Sequence, residues 1–268
     1  MHVHFLDPYL SRESKIHMLD PRVKLVLTLA FVLTTALTPV GAWPVYILLF
    51  SLILSVEILS ELGIVTVLKR AILAVPFVFA ALPVVFTTSG QELVGFSIGE
   101  WPVVITAAGV ERFLSIAIKS WLSLQAAIVL ASSTTFPELL VAMRAVKAPR
   151  LLVAIFGLMW RYLFVMVDEV FRLTRARTAR SGYSDQPDSK PGGSLTWRAK
   201  VTGGMAGSLF LRAFERSDRI YMAMISRGYD GEVRTSPLPR LGSADRLFLI
   251  ISLAILAILL ALAVMVWA

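Results

Sequence analysis

Two tripeptides carry the clearest capacity for chemistry in this 268-residue chain: Ala179, Arg180, Ser181 and Ser226, Arg227, Gly228. A guanidinium is always charged and presents planar donors in a fixed fork, so it suits a bidentate lock on a carboxylate in a partner's groove. Flanking Ala, Ser and Gly keep bulk away, which lets a helix end lie close to the partner surface. One such arginine alone reads as an ordinary base at a helix C-terminus, favoured there by the macrodipole. Two of them, each closing a long basic helical pattern, favour the docking role.

Residues for bond-making chemistry are missing. The histidines are His2, His4 and His17, all near the N-terminus, so a histidine-based catalytic or metal site deeper in the chain is excluded. His2 and His4 could hold a transition metal weakly, but a mobile tail is the better reading. With no Cys, thiolate chemistry and cysteine metal sites are excluded. No phosphate loop, His-Glu-x-x-His or Gly-x-Ser-x-Gly occurs. No catalytic residue and no metal ligand is therefore assigned, and any ATP used with this chain must be bound elsewhere.

The arginines need rods to carry them. Residues 144–240 hold 17 of the 26 Lys and Arg but 8 of the 18 acids. The bases lie on two helical patterns, about Arg150–Ser181 and about Leu195–Gly228, joined by a Pro/Gly-rich loop over 182–194. Asp168 with Arg172, and Glu215 with Arg219, stand four apart with the acid first, the favourable order for a helix-surface pair. Phe210, Phe214, Tyr221 and Met224 recur near a 3.5 period and predict a seam of arm against arm. Gly203, Gly204 and Gly207 suit either close helix approach or local flexibility.

The rods in turn need an anchor. With 57% hydrophobic residues and a mean hydropathy of +0.75, the chain is a polytopic membrane protein. Its net charge of +8 sits between apolar stretches, which fits cytoplasmic loops and argues against nucleic acid. Spans are predicted at about Val23–Leu37, capped by Asp20 and Pro21, and at about Pro44–Leu59. Glu57 is a weak site candidate there, expected at the interface. A third span, about Ala71–Phe86, is expected to bend at Pro76 and Pro83. A polar connection over Thr87–Pro102 leads to a fourth span, about Arg112–Ser132, in which Lys119 must turn toward protein or snorkel outward. Phe136-Pro137-Glu138 opens a short amphipathic helix, and the last span is about Arg246–Trp267. Basic residues alternate rich, poor, rich, poor, rich along the loops, which places the N-terminus and both arms in the cytoplasm. The N-terminal segment lacks the pattern of a signal peptide. The predicted fold is thus an all-α polytopic membrane protein with about five transmembrane helices and two long cytoplasmic coupling helices between the fourth and fifth. Its regions are a four-span bundle over 1–135, a coupling region over 136–242 and a C-terminal helix over 243–268.

Several local motifs carry a family likeness: Leu19-Asp20-Pro21-Arg22-Val23-Lys24-Leu25, Ser133-Thr134-Thr135-Phe136-Pro137-Glu138-Leu139-Leu140, Trp160-Arg161-Tyr162, the Ala179-Arg180-Ser181 tip, and Glu215-Arg216 leading to Ser226-Arg227-Gly228-Tyr229-Asp230-Gly231. With these the chain resembles the transmembrane T component of energy-coupling factor transporters, in its cobalt-type CbiQ branch. One departure is that the first tip ends in Ser181, with Gly182 following. The resemblance implies a non-catalytic scaffold of the bacterial or archaeal cytoplasmic membrane. Such a scaffold joins two ABC-type ATPases, which hold ATP and Mg, to a substrate-capture membrane protein of the S or M type. It also implies that the two arginine-tipped helices transmit ATP-driven closure, with cobalt ion uptake as the function. Alternatives are a nickel, biotin or shared-vitamin module and, from a different class, a membrane-embedded lipid-modifying enzyme, which would want acidic clusters or histidines at the membrane face.

Overall fold

The computed structural model describes residues 8–72, 75–98, 101–180, 194–230 and 241–267. His2, His4, Ser181 and most of the two loops flanking the second arm lie outside them. The chain divides into two units, Lys147–Pro237 and a second formed by His2–Val146 with Leu238–Ala268.

The second unit contains α1 (Lys15–Met18), α2 (Pro21–Leu37), α3 (Trp43–Leu59), α4 (Ile64–Ala71), α5 (Val75–Ala80), α6 (Val84–Thr87), α7 (Ala107–Ser133), α8 (Phe136–Ala145) and α11 (Ser243–Trp267). α2 starts as its sequence predicts: the Asp20 carboxylate accepts from the Arg22 backbone N–H at 2.9 Å, and Pro21 occupies the first turn. Its core joins Phe31, Leu49, Ile53, Leu122, Ala126 and Leu256 from α2, α3, α7 and α11. Large apolar side chains on the other faces, such as Leu33, Ile47, Ile250 and Ile258, are exposed, which in water would be costly and in lipid is the expected arrangement.

Two expectations change. The third span, about Ala71–Phe86, is not one bent helix: among the described residues it forms the short α5 and α6, broken by a turn over 81–83 that ends at Pro83, which has no N–H to carry the helix ladder across. The connection that reads as polar contains an antiparallel hairpin, β1 (Glu92–Ile98) and β2 (Trp101–Thr106), with Phe96 opposite Val103. Its apolar residues Val94, Phe96 and Ile98 alternate with period two, the strand repeat, which a search for long apolar runs passes over.

Both lysines inside the apolar helices are turned inward onto helix ends. Lys24 of α2 donates to the Ser133 carbonyl that closes α7 and to the His17 carbonyl, each at 2.9 Å. Lys119 of α7 donates to the Ala36 carbonyl at 3.3 Å and to the Thr38 carbonyl, at the end of α2. Each helix therefore supplies the cation for the other's C-terminal carbonyls, groups that lack intrahelical partners and carry the negative end of the dipole. Glu57 is also inside the protein, at 1% exposure, because it extends the buried stripe Val45, Leu49, Ile53 of α3.

The segment before α2 is tied to the same end of α7. The Leu10 N–H donates to the Ser132 carbonyl at 3.0 Å, and Arg70 bridges the Pro8 carbonyl and Ser132 Oγ at 3.1 and 2.6 Å. His17 sits between Ser14 Oγ at 2.7 Å and the Leu10 carbonyl at 3.0 Å, an arrangement that suits the neutral ring. Burial pushes the His17 pKa down, with the nearby Lys24 charge acting the same way and the Leu10 carbonyl opposing. A folded-state value below the ordinary ~6.5 means that the unfolded chain takes up the proton first, so this contribution is complete above that pH and is lost as pH falls. Proteolytic nicking of residues 8–19 is expected to rise between about pH 7.5 and about pH 5.5. His17→Gln should flatten that slope; an unchanged slope in the variant would assign it to other groups.

Candidate functional site

The first unit consists of α9 (Arg150–Arg180) and α10 (Leu195–Ile225), each of 31 residues. At 1.5 Å per residue each rod is about 46 Å long. α10 starts with Ser194 as its cap, whose Oγ accepts from the Trp197 N–H at 3.3 Å. α9 departs from a wholly cytoplasmic arm: it is long and apolar enough to cross a membrane, because residues 151–160 hold no charge and its bases gather from Arg161 onward.

The arms are linked by charge rather than by the predicted apolar seam. Glu169 is buried and receives both the Arg212 Nη1 of α10 and the Arg172 Nη1 of its own helix, the latter at 3.5 Å. Arg177 adds a bond to Thr202 Oγ1 at 3.0 Å. Arg172 therefore pairs three residues back, with Glu169 and not Asp168, and no ion pair joins Glu215 to Arg219 among the described residues. Phe210, Phe214 and Tyr221 are 69%, 61% and 55% exposed, so their stripe is an open face. Among the described residues nothing lies within 4 Å of a Cβ placed at Gly203, Gly204 or Gly207, so no described helix approaches closely at them. Sequence reasoning missed Glu169 as the junction; the available signal was one acid three residues before Arg172 on a helix whose opposite arm carries an otherwise unassigned Arg212.

The two cross-links run the arms in opposite directions, since moving forward from Glu169 to Arg177 moves backward from Arg212 to Thr202. Arg180 stands about 17 Å beyond Glu169 along α9, and Arg227 about 22 Å beyond Arg212 along α10. The tips are not brought together; they occupy opposite ends of the pair, roughly 40 Å apart along the rods.

At the second tip the sequence explains the geometry. The Tyr229 N–H bonds the Met224 carbonyl at 3.0 Å and the Gly228 N–H bonds the Ile225 carbonyl at 2.8 Å. These two bonds, with Gly228 at φ +81°, make the Schellman closure that glycine permits. Gly228 thus stops the helix one residue past the arginine and leaves Arg227 on the final turn. Ser226 Oγ folds back onto the Met222 carbonyl at 2.9 Å, adding a second bond to an acceptor that the Ser226 N–H already reaches at 3.0 Å. Ala179, Arg180, Ser226, Arg227 and Gly228 are all exposed, and neither tip guanidinium has a partner among the described residues. Two unpaired, always-charged forks at the ends of rigid rods can each accept a carboxylate from another protein at little conformational cost.

Residues 12–237 match the family described as cobalt transport protein CbiQ. The chain is 29% identical over 237 residues to the cobalt transport protein CbiQ of Salmonella typhimurium, covering 83% of this chain and 96% of that protein. It is 27% identical over 265 residues to the energy-coupling factor transporter transmembrane protein EcfT of Listeria innocua, covering 94% and 95%. It is also 26% identical over 267 residues to a fused cobalt transport protein, CbiMQ, of Methanocorpusculum labreanum, covering 93% of this chain and 41% of that longer protein.

Proposed function

Because the chain belongs to the cobalt transport protein CbiQ family, we propose that it is the transmembrane coupling subunit of an energy-coupling-factor importer for cobalt. The observation that carries this reading is the pair of exposed, unpartnered arginines ending two long rods, the second set off by the Gly228 closure. In this reading Ala179, Arg180, Ser181 and Ser226, Arg227, Gly228 are the ATPase-coupling sites, and ATP with Mg is held by the two ABC-type ATPases. The wide separation of the tips suits one ATPase per tip. The Glu169 junction, holding Arg172 and Arg212, makes displacement of one arm act on the other. The chain itself performs no catalysis.

The open face of Phe210, Phe214 and Tyr221, with the apolar first half of α9, provides surface for a substrate-capture membrane protein. The fused CbiMQ relative, of which this chain matches 41%, supports such a neighbour. The EcfT relative favours a second reading, a shared T component serving several capture proteins. Affinity purification in mild detergent separates the two. One kind of ATPase with one capture protein is expected for the dedicated cobalt module; two different ATPases would establish the shared one, and no ATPase at all would refute both.

The alternation of basic loops supports an N-terminus and the basic, arginine-tipped parts of the arms on the cytoplasmic side of a multi-pass chain. Since no native Cys is present, Ser97→Cys should label with an impermeant thiol reagent on intact cells and Ser189→Cys should not. The reverse pattern would invert the topology.

A further inference from the structure

A groove of about 340 Å³ opens between α2, α3, α7 and α11, walled by Leu27, Phe31, Val56, Leu59, Ile255 and Leu256. One side chain on its lining is charged, Lys24, whose Nζ is held by the His17 and Ser133 carbonyls at 2.9 Å each. An ammonium has three donors, so one remains for a ligand. No carboxylate among the described residues lies within ion-pair distance of that Nζ. The groove runs along α2 from Lys24 to Phe31, roughly 10 Å. Ser133 lies beside Lys24 at one end, and Phe31 and Leu256 lie away from it.

We propose that this groove holds one acyl chain of an anionic phospholipid, with the headgroup phosphate on Lys24. The chemistry is divided as the ligand's is: hydrocarbon walls for the chain, and at one end a buried cation whose direct contacts are two carbonyls, the carboxylates of Glu138 and Asp20 acting on it only from beyond ion-pair distance. An anion there completes the donor set of Lys24 and balances its charge in a region where an unpaired charge is costly. The charge selects the occupant: a lipid with an anionic headgroup meets both the hydrocarbon walls and the remaining donor of Lys24, which an apolar helix of a partner would leave without an acceptor. The larger cavity beside Trp43, Phe50, Phe79 and Trp121, of about 610 Å³, has no charged lining residue and offers no such selection. The proposal depends on membrane residence alone and stands apart from the coupling role of the arms.

The test uses the full chain with its copurifying subunits, stripped by detergent exchange and reloaded from mixed micelles of phosphatidylglycerol or phosphatidylcholine. Native mass spectrometry then counts retained lipid. Retention of phosphatidylglycerol is expected to exceed that of phosphatidylcholine by about fivefold, the usual effect of one basic residue at an anionic headgroup. Lys24→Met should bring the ratio to one. Ser252→Trp, which fills the groove from α11 and leaves Lys24 in the sequence, should lower retention of both lipids and guards against a Lys24 variant that fails to assemble. Equal retention of the two lipids by the native chain, or unchanged retention in the Ser252 variant, would overturn the proposal. A benzophenone maleimide on Ser252→Cys identifies the occupant in native membranes: a phospholipid adduct supports the assignment, and an adduct to another protein chain defeats it.

Discussion

Arg180→Glu combined with Arg227→Glu is expected to release the ATPases and abolish uptake, and either reversal alone to stop uptake and weaken ATPase retention. Each tip arginine is exposed and unpartnered among the described residues, so reversal should leave the rods themselves intact. In the assembled transporter the same change removes a charge-assisted pair and sets like charges together in a partly desolvated contact, which costs about 2–5 kcal/mol. A solvated arginine costs less than about 1 kcal/mol. Arg175→Glu and Arg219→Glu, exposed bases away from the ends, serve as controls and should be mild. Pull-down of the ATPases and uptake in reconstituted vesicles measure the outcome, with detergent elution as the check on folding. Native binding and uptake in both tip variants would return Arg180 and Arg227 to ordinary helix-end charges.

The second large effect concerns the bundle. Lys24→Met and Lys119→Met keep side-chain length but strip the cation from the carbonyls at the ends of α7 and α2. Each leaves helix-end carbonyls without their donor, a loss of about 1–3 kcal/mol per site where the acceptor is buried, as at Ser133. Both changes fall on the same α2 and α7 pair, so the double variant should be the least stable, and the shortfall or excess over the sum measures their coupling. Thermal unfolding in detergent is the readout. Melting temperatures equal to the native chain's would mean that water or lipid satisfies those carbonyls as well as the lysines do.

Much of the architecture is legible in the sequence because its signals are local. Asp20 and Pro21 specify the start of α2, since a side-chain acceptor and a residue without an N–H are what a first turn requires. The long apolar runs mark α3, α7 and α11 within a few residues. The motifs around Asp20, Phe136, Trp160, Arg180 and Arg227 suffice for the family likeness, and the match over residues 12–237 bears it out. Gly228 after Arg227 reads as keeping bulk away; its left-handed backbone adds the physical reason why the helix ends there.

The remaining features depend on which faces meet, and no local signal encodes that. Asp168 has the better spacing to Arg172, yet Glu169 takes it, because only Glu169 is turned inward where Arg212 of the other arm also arrives. The aromatic stripe of α10 has a seam's period, but period reports that residues share a face and not whether anything covers it. Glu57 reads as interfacial from its neighbours Ser60 and Glu61, while its burial follows from the side of α3 that packs inward. In the sequence Lys24 stands at the start of the first span and Lys119 is an isolated intramembrane charge. Their exchange of helix ends exists only once α2 and α7 lie side by side, because the acceptors are backbone carbonyls, which every residue has and no sequence can single out.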